Sequence, residues 1–248
     1  MIEIAKFRGL SPRLAEVDYI QDIALLNVHR EFGGKLVFKG GTCLYKAYNL
    51  GRFSEDLDFT AKKGFKHRQF FSKLPFFFNL LNMRSRVSIK KFEKNITARL
   101  EVNGPLYDGR KESVCTVIFD ISLRERVLLP VKRHAYMPAY SEIRPFDLSI
   151  MDEKEILAEK IRAIYERNKA RDVYDLWYLL EKKNVDFDIG LVKKKLMQNE
   201  LKFEKETFLN KIAEKKGSWK KDLEALVSFE PPPFLKAEER IRCLTGLL

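Results

Sequence analysis

Two aspartates flanking one leucine, Asp56-Leu57-Asp58, constrain this chain more than any other feature. On a strand, side chains alternate faces, so Asp56 and Asp58 share one face while Leu57 and Phe59 point into a core. Their Cα atoms are then roughly 6.5 Å apart. At an effective dielectric near 20, two charges at that distance repel by about 2.5 kcal/mol. A fold keeps such a pair cheaply when it is well solvated or binds a cation. Upstream, the apolar run Leu36-Val37-Phe38 ends in Lys39-Gly40-Gly41-Thr42. Gly40 and Gly41 can expose backbone N–H groups at the start of a following helix, a geometry that binds phosphate, and Thr42 can add a hydroxyl. Hard carboxylate oxygens beside a phosphate cradle suit Mg²⁺. The bland alternative is a solvated acidic turn after a tight Gly-Gly turn.

With 248 residues and 45% apolar content, the chain can bury a real core in one large or two small domains. Cys43, Cys115 and Cys243 are scattered, with no CxxC or Cys/His cluster. That argues against zinc and a disulfide framework and for a reducing cytoplasm. No apolar run has the length of a membrane span, and the N-terminus carries Glu3, Lys6 and Arg8, unlike a signal peptide. The net charge of +12 favours an anionic partner, with plain solubility as the alternative.

Ser11-Pro12 reads as a helix start, and Leu14, Val17, Ile20, Ala24 and Val28 recur at helical spacing up to Gly33-Gly34. A strand over 36–38, a helix over 42–48 and the acidic strand 57–60 follow. A phenylalanine-rich helix over 67–82 is expected to break at Pro75. Strands are expected over 86–92, 97–103, 114–123 and 146–150. From Asp152 the pattern becomes helical, and Asp152-Glu153 suits a helix start. The fold expected is α+β: a mixed sheet with flanking helices over 1–150, then a helical part over 151–248. Pro231-Pro232-Pro233 precedes a last amphipathic helix.

Asp120 projects from the alternating strand Val117-Phe119-Ile121 and is a candidate third carboxylate, metal ligand or proton acceptor; the alternative is a strand-end residue facing water. Lys160 lies within the apolar stripe Ile156, Leu157, Ile161 and Ile164, as either a snorkelling lysine or a point charge for a triphosphate. Asp172 and Asp175 share a helix face with Leu176 and Leu179; Asp172 reads as a cap, or as a group that orients Lys160 or touches a nucleotide. His29, His67 and His134 show no ligand spacing. Lys193-Lys194-Lys195, Lys215-Lys216 and Lys220-Lys221 read as solvated helix faces.

Lys39-Gly40-Gly41-Thr42 followed by Arg52-Phe53-Ser54-Glu55-Asp56-Leu57-Asp58 resembles the signature of the AbiEii-type nucleotidyltransferase toxins, within the DNA polymerase β-like nucleotidyltransferase superfamily. Glu159-Lys160 through Arg171-Asp172-Val173-Tyr174-Asp175-Leu176 resembles that family's lysine and Arg-Asp-x-x-Asp-Leu motif. The matching stretches cover roughly residues 35–180 in the right order. The resemblance implies a nucleotidyltransferase-like fold and an enzyme that moves NMP from an NTP to an acceptor hydroxyl, with two Mg²⁺ ions (or Mn²⁺). It implies Asp56, Asp58 and, on a looser pattern, Asp120 as metal ligands. Gly40, Gly41, Thr42, Ser54 and Lys160 would lie by the nucleotide, and Lys160 and Asp172 would complete the catalytic cleft from the helical part. It further implies a toxin with a separate antitoxin partner. The basic helical half suggests RNA, such as a tRNA end, as acceptor. Competing readings are a catalytically silent RNA- or protein-binding module on the same fold, and transfer onto a protein or small molecule.

Overall fold

Strand alternation decides the architecture. In β4 (Asn95–Val102), Ile96, Ala98, Leu100 and Val102 are buried, while Thr97, Arg99 and Glu101 are not. β5 (Cys115–Ser122) repeats this with Cys115, Val117, Phe119 and Ile121 inward. One face of the sheet is thus apolar and the other polar, as an antiparallel region allows. The computed structural model describes residues 1–227 and 229–246.

Two compact units divide the chain. Residues 1–47, 54–126 and 131–150 form the first; 48–53, 127–130 and the chain from Met151 onward form the second. The first contains β1 (Leu36–Lys39), β2 (Leu57–Ala61), β3 (Ser85–Lys91), β4, β5, β6 (Lys132–Tyr136) and β7 (Phe146–Ile150). Their order is β3-β4-β5-β2-β1-β7-β6. β2 runs parallel to β5 and β1 parallel to β7, and the remaining neighbours are antiparallel, so the sheet is mixed, as expected from the sequence.

Helix α1 (Ile2–Arg8) precedes α2 (Pro12–Phe32), whose Ser11 side chain accepts from the Leu14 N–H as the Ser-Pro start predicts. α2 packs on β5, β7 and α4 (His67–Asn79). The core they close is aromatic: Phe119 meets Phe59, Phe70 and Phe71 at ring separations of 6.2, 5.8 and 5.6 Å. Contrary to expectation, α4 is not broken at Pro75 but runs through it. The proline forfeits one backbone hydrogen bond, while Phe70, Phe71, Leu74 and Phe78 stay buried along one stripe and hold the helix on the core. β6, a short polar strand, carries no sequence signal and pairs with β7.

The second unit is helical: α5 (Glu153–Glu166), α6 (Ala170–Trp177) continuing into one π turn (Tyr178–Lys182), α7 (Ile189–Met197), α8 (Lys205–Ala213), α9 (Trp219–Glu224) and α10 (Phe234–Leu244). Asp152 caps α5 through the Lys154 N–H. α5 packs against α6, α7 and α8; α6 packs against α9 and α10. Segment 127–130 joins this unit because the Leu128 and Leu129 N–H groups both donate to the Glu155 carboxylate, each at 2.8 Å. Two lysines expected at solvated faces are inside. Lys195 lies between Glu155 (2.6 Å) and Glu159 (2.9 Å), and Lys215 is 1% exposed. A lysine next to two exposed lysines on a helix still falls on the inward face when the register demands it, and two carboxylates make that burial tolerable.

Candidate active site

The polar face of the sheet carries Asp58 and Asp120. Asp58 is the register partner of Lys39 on β1 and of Asp120 on β5. Register partners on neighbouring strands point to the same side, with strands about 4.8 Å apart. Lys39, Asp58 and Asp120 therefore form one transverse row, continued by Thr97 on β4. Asp56 immediately precedes β2, two residues from Asp58. The Asp120 carboxyl is raised above its usual range by burial first, and further by the charges of Glu125 and Asp56. The Lys39 ammonium and a hydrogen bond with Asn95 oppose that shift. Lys39 itself bonds Glu125.

Gly40 explains why glycine stands at the end of β1. Its φ is +74°, and a Cβ there would fall 2.2 Å from Asp58 Oδ2. The backbone of Gly40 thus lies directly against the Asp58 carboxylate, as only glycine permits. α3 (Gly40–Ala47) begins at this residue, two positions earlier than expected. Gly41 is buried in its first turn. Thr42 is fully buried, and its hydroxyl donates to the Asp56 carbonyl oxygen. It holds the acidic loop in place. Ser54 is 8% exposed, and its carbonyl accepts from Gln21 Nε2 at 2.9 Å. The same amide donates to the Glu55 carbonyl at 2.8 Å. Gln21, on α2, was not singled out by the sequence; the helix also buries Glu16, Asp18, Asp22 and Asn27, so one more polar residue gave no signal.

Lys160 and Asp172 belong to the second unit, which brings them together. Lys160 Nζ lies 3.1 Å from Asp172 Oδ1 and 2.6 Å from Asp175 Oδ2. Asp172 is not the helix cap: Lys169 occupies that position, and the Asp172 side chain also accepts from Arg167 Nε at 2.7 Å and its terminal nitrogen at 2.9 Å. Burial pushes the Asp172 carboxyl up, but the Lys160 ammonium and Arg167 guanidinium outweigh it and hold it well below the usual range. Asp175 takes a bidentate bond from Arg52, Nε and a terminal nitrogen each at 2.6 Å. Arg52 is 1% exposed and belongs to this unit through segment 48–53. The two aspartates of the Arg-Asp-x-x-Asp-Leu motif thus sit in a chain of alternating charge, Arg52–Asp175–Lys160–Asp172–Arg167, buried except at Arg167. The sequence showed its Lys160 and Asp172 but not the Arg52 anchor.

Among the described residues, no group of three or more His, Cys, Asp or Glu side chains could hold a metal ion by itself. The row does offer hard carboxylate oxygens from Asp58 and Asp120. Such a donor set fits Mg²⁺, which usually takes one or two carboxylates and completes its sphere with substrate phosphates and water. Metal binding here would then accompany substrate. Among the described residues, no helix is long and apolar enough to cross a membrane.

Comparison with known proteins agrees with the fold. The chain superimposes on JHP933 from Helicobacter pylori with a TM-score of 0.64 at 20% identity, covering 96% of this chain and 94% of that one. It superimposes on the MenT4 nucleotidyltransferase toxin of Mycobacterium tuberculosis with a TM-score of 0.61 at 21% identity, covering 94% and 83%. At such identities the likeness establishes the fold. No curated protein matches the chain. The family described as nucleotidyl transferase AbiEii toxin, type IV TA system, matches residues 23–240. Spanning most of the sequence, that match shows that the chain belongs to the AbiEii family of nucleotidyltransferase toxins.

Proposed function

We propose that the protein transfers a nucleoside monophosphate from an NTP to a hydroxyl of an RNA acceptor, in a Mg²⁺-dependent reaction, and that a separate antitoxin protein restrains it. The observation that carries the reading is the row on the polar sheet face: Asp58 and Asp120 in register on parallel strands, with the Gly40 backbone against Asp58. Asp56 and Asp58, with Asp120, would hold Mg²⁺, which when bound neutralises phosphate charge and polarises the α-phosphate. Gly40 and Gly41 leave room for the triphosphate beside the first turn of α3. Thr42, Gln21 and the Ser54 backbone fix the acidic loop. The acceptor oxygen bonds to the α-phosphorus as the bond to pyrophosphate breaks, and its proton passes to Asp120. Lys160 would hold the triphosphate, with Asp172 and Asp175 orienting it.

Purified protein incubated with each α-labelled NTP, Mg²⁺ and total RNA tests this. Label is expected in RNA, abolished by chelation and reduced at least about 100-fold by Asp58→Ala, the scale of removing a group that acts on the transition state. No transfer by the wild type, or equal transfer by the variant, overturns the reading. Label appearing in protein with RNA unmodified overturns the choice of acceptor.

A further inference from the structure

The polar face does not end at the carboxylate row. Moving along β5, β4 and β3 away from Asp120, successive transverse rows carry Ile118, Arg99 and Ser88, and then Thr116, Glu101 and Arg86. The next row brings Asn103 beside Arg84, whose carbonyl accepts from the Asn103 N–H at 2.8 Å. A cavity of about 470 Å³ opens over these rows. Arg13 from α2 and Lys111 complete its wall, so five cationic side chains face two carboxylates, Glu101 and Glu112.

These charges are available. The side chains of Arg86 and Arg99 are 76% and 54% exposed. Both turn to the single carboxylate of Glu101, which cannot neutralise two guanidinium groups. Arg13 donates to the Ser113 and Val114 carbonyl oxygens, at 3.1 and 2.7 Å, and is paired with Glu16 at 3.6 Å, so the basin's charge rests on Arg84, Arg86, Arg99 and Lys111. The cavity is therefore a net-cationic basin. Guanidinium forks match phosphate oxygens in pairs.

Its place on the sheet says which phosphates. Gly40 and Gly41 lie on the β1 side of Asp58, and the arginines lie on the β4 and β3 side of Asp120. The carboxylate row stands between. Thr116 is four residues from Asp120 along β5, so the basin centre is about 13 Å from the row, within a few nucleotides' reach. In-line displacement needs the attacking hydroxyl opposite the departing pyrophosphate. We infer that this basin on β3, β4 and β5 binds the phosphodiester backbone of the RNA acceptor, with Arg84, Arg86 and Arg99 as its principal contacts. The inference rests on the nucleotidyl-transfer reading for the acceptor's role, while the basin's affinity for RNA does not depend on turnover.

The test is fluorescence anisotropy of a labelled 12-nucleotide single-stranded RNA, without NTP and in chelator. Arg84→Ala/Arg86→Ala/Arg99→Ala is expected to weaken binding at least about 10-fold at low salt. It should also flatten the slope of log affinity against log salt by about 2, near 0.7 for each lost contact on a single strand. Lys193→Ala/Lys194→Ala/Lys202→Ala removes the same charge from exposed positions on the helical unit and is expected to stay within about 2-fold. Equal loss in both triple variants would reduce the effect to net charge and overturn the proposal, as would an unchanged slope in the arginine variant. Thermal melts of both variants should match the wild type, all six side chains being exposed; a melt lowered only in the arginine variant would instead give those residues a structural role and overturn the docking assignment. If the wild type transfers no nucleotide yet the arginine variant loses RNA, the basin stands and the catalytic reading falls.

Discussion

Single atoms decide the geometry around Asp58. A methyl group at position 40 would collide with its carboxylate, and the backbone there has a positive φ. Gly40→Ala should therefore displace Asp58 and cost about 1–3 kcal/mol of stability through backbone strain. Transfer activity should fall about 100-fold, the scale of an ångström-sized misplacement. Activity within a few-fold of wild type would show that Asp58 need not sit against that backbone. Gly40, Asp56 and Asp58 were legible because their signal is local: glycines at a strand end, then carboxylates at a two-residue period. Gln21 was not, because it meets Ser54 from 33 positions away. Nor was the committed hydroxyl of Thr42, since a sequence shows a donor but never its acceptor.

Helix α6 shows the same limit at the scale of elements. Its pattern predicted a helix with both aspartates on one face, and of the two readings of Asp172 the structure has the pairing with Lys160 and not the cap, without the pattern showing Arg167 as a further partner. Asp175 serves two enclosed cations, Arg52 and Lys160, whereas Arg167, the outer partner of Asp172, is 48% exposed and can turn to water. Asp175→Ala is therefore expected to destabilise by about 3–5 kcal/mol, the cost of stranding a buried charge, and Asp172→Ala by less. Urea unfolding midpoints would check the ranking; equal losses would contradict it. α4 was misjudged because proline's local penalty is smaller than the burial of four apolar side chains on its stripe. Lys195 falls inward because it lies on the α7 face of Leu191, Val192 and Leu196, and its partners Glu155 and Glu159 are far away in the sequence. β6 was invisible because its strand character comes entirely from pairing with β7.

Across the whole molecule, buried charge sets the response to pH. In the first unit Lys46 is fully enclosed, 2.7 Å from Asp18 and 2.6 Å from Asp22. Arg8 also binds Asp18 at 2.6 Å, and Tyr136 donates to Asp22 at 2.7 Å. Burial, against the pull of Lys46 and with the push of Asp18, raises the Asp22 carboxyl to about 6. A carboxyl raised on folding binds its proton more tightly in the native state. Its contribution to stability therefore declines as pH rises from the unfolded value near 4 to about 6, by up to about 1.4 kcal/mol per pH unit, and is gone above that. Asp172 has the opposite sign and acts at lower pH, losing its contribution as pH falls through its depressed native value. Subtracting an Asp22→Asn stability profile from that of the wild type should expose the decline between pH 4 and 6; a flat difference would refute the assignment.

The path of the backbone has a practical corollary. The chain passes from one unit to the other after Ala47, Phe53, Arg126, Pro130 and Ile150. No single cut can yield both pieces whole. A truncated protein starting at Met151 would lack Arg52, and Asp175 would lose the guanidinium that clasps it. Dissecting this toxin by deletion would therefore mistake a broken ion pair for a missing activity, and point substitutions are the sounder route to its parts.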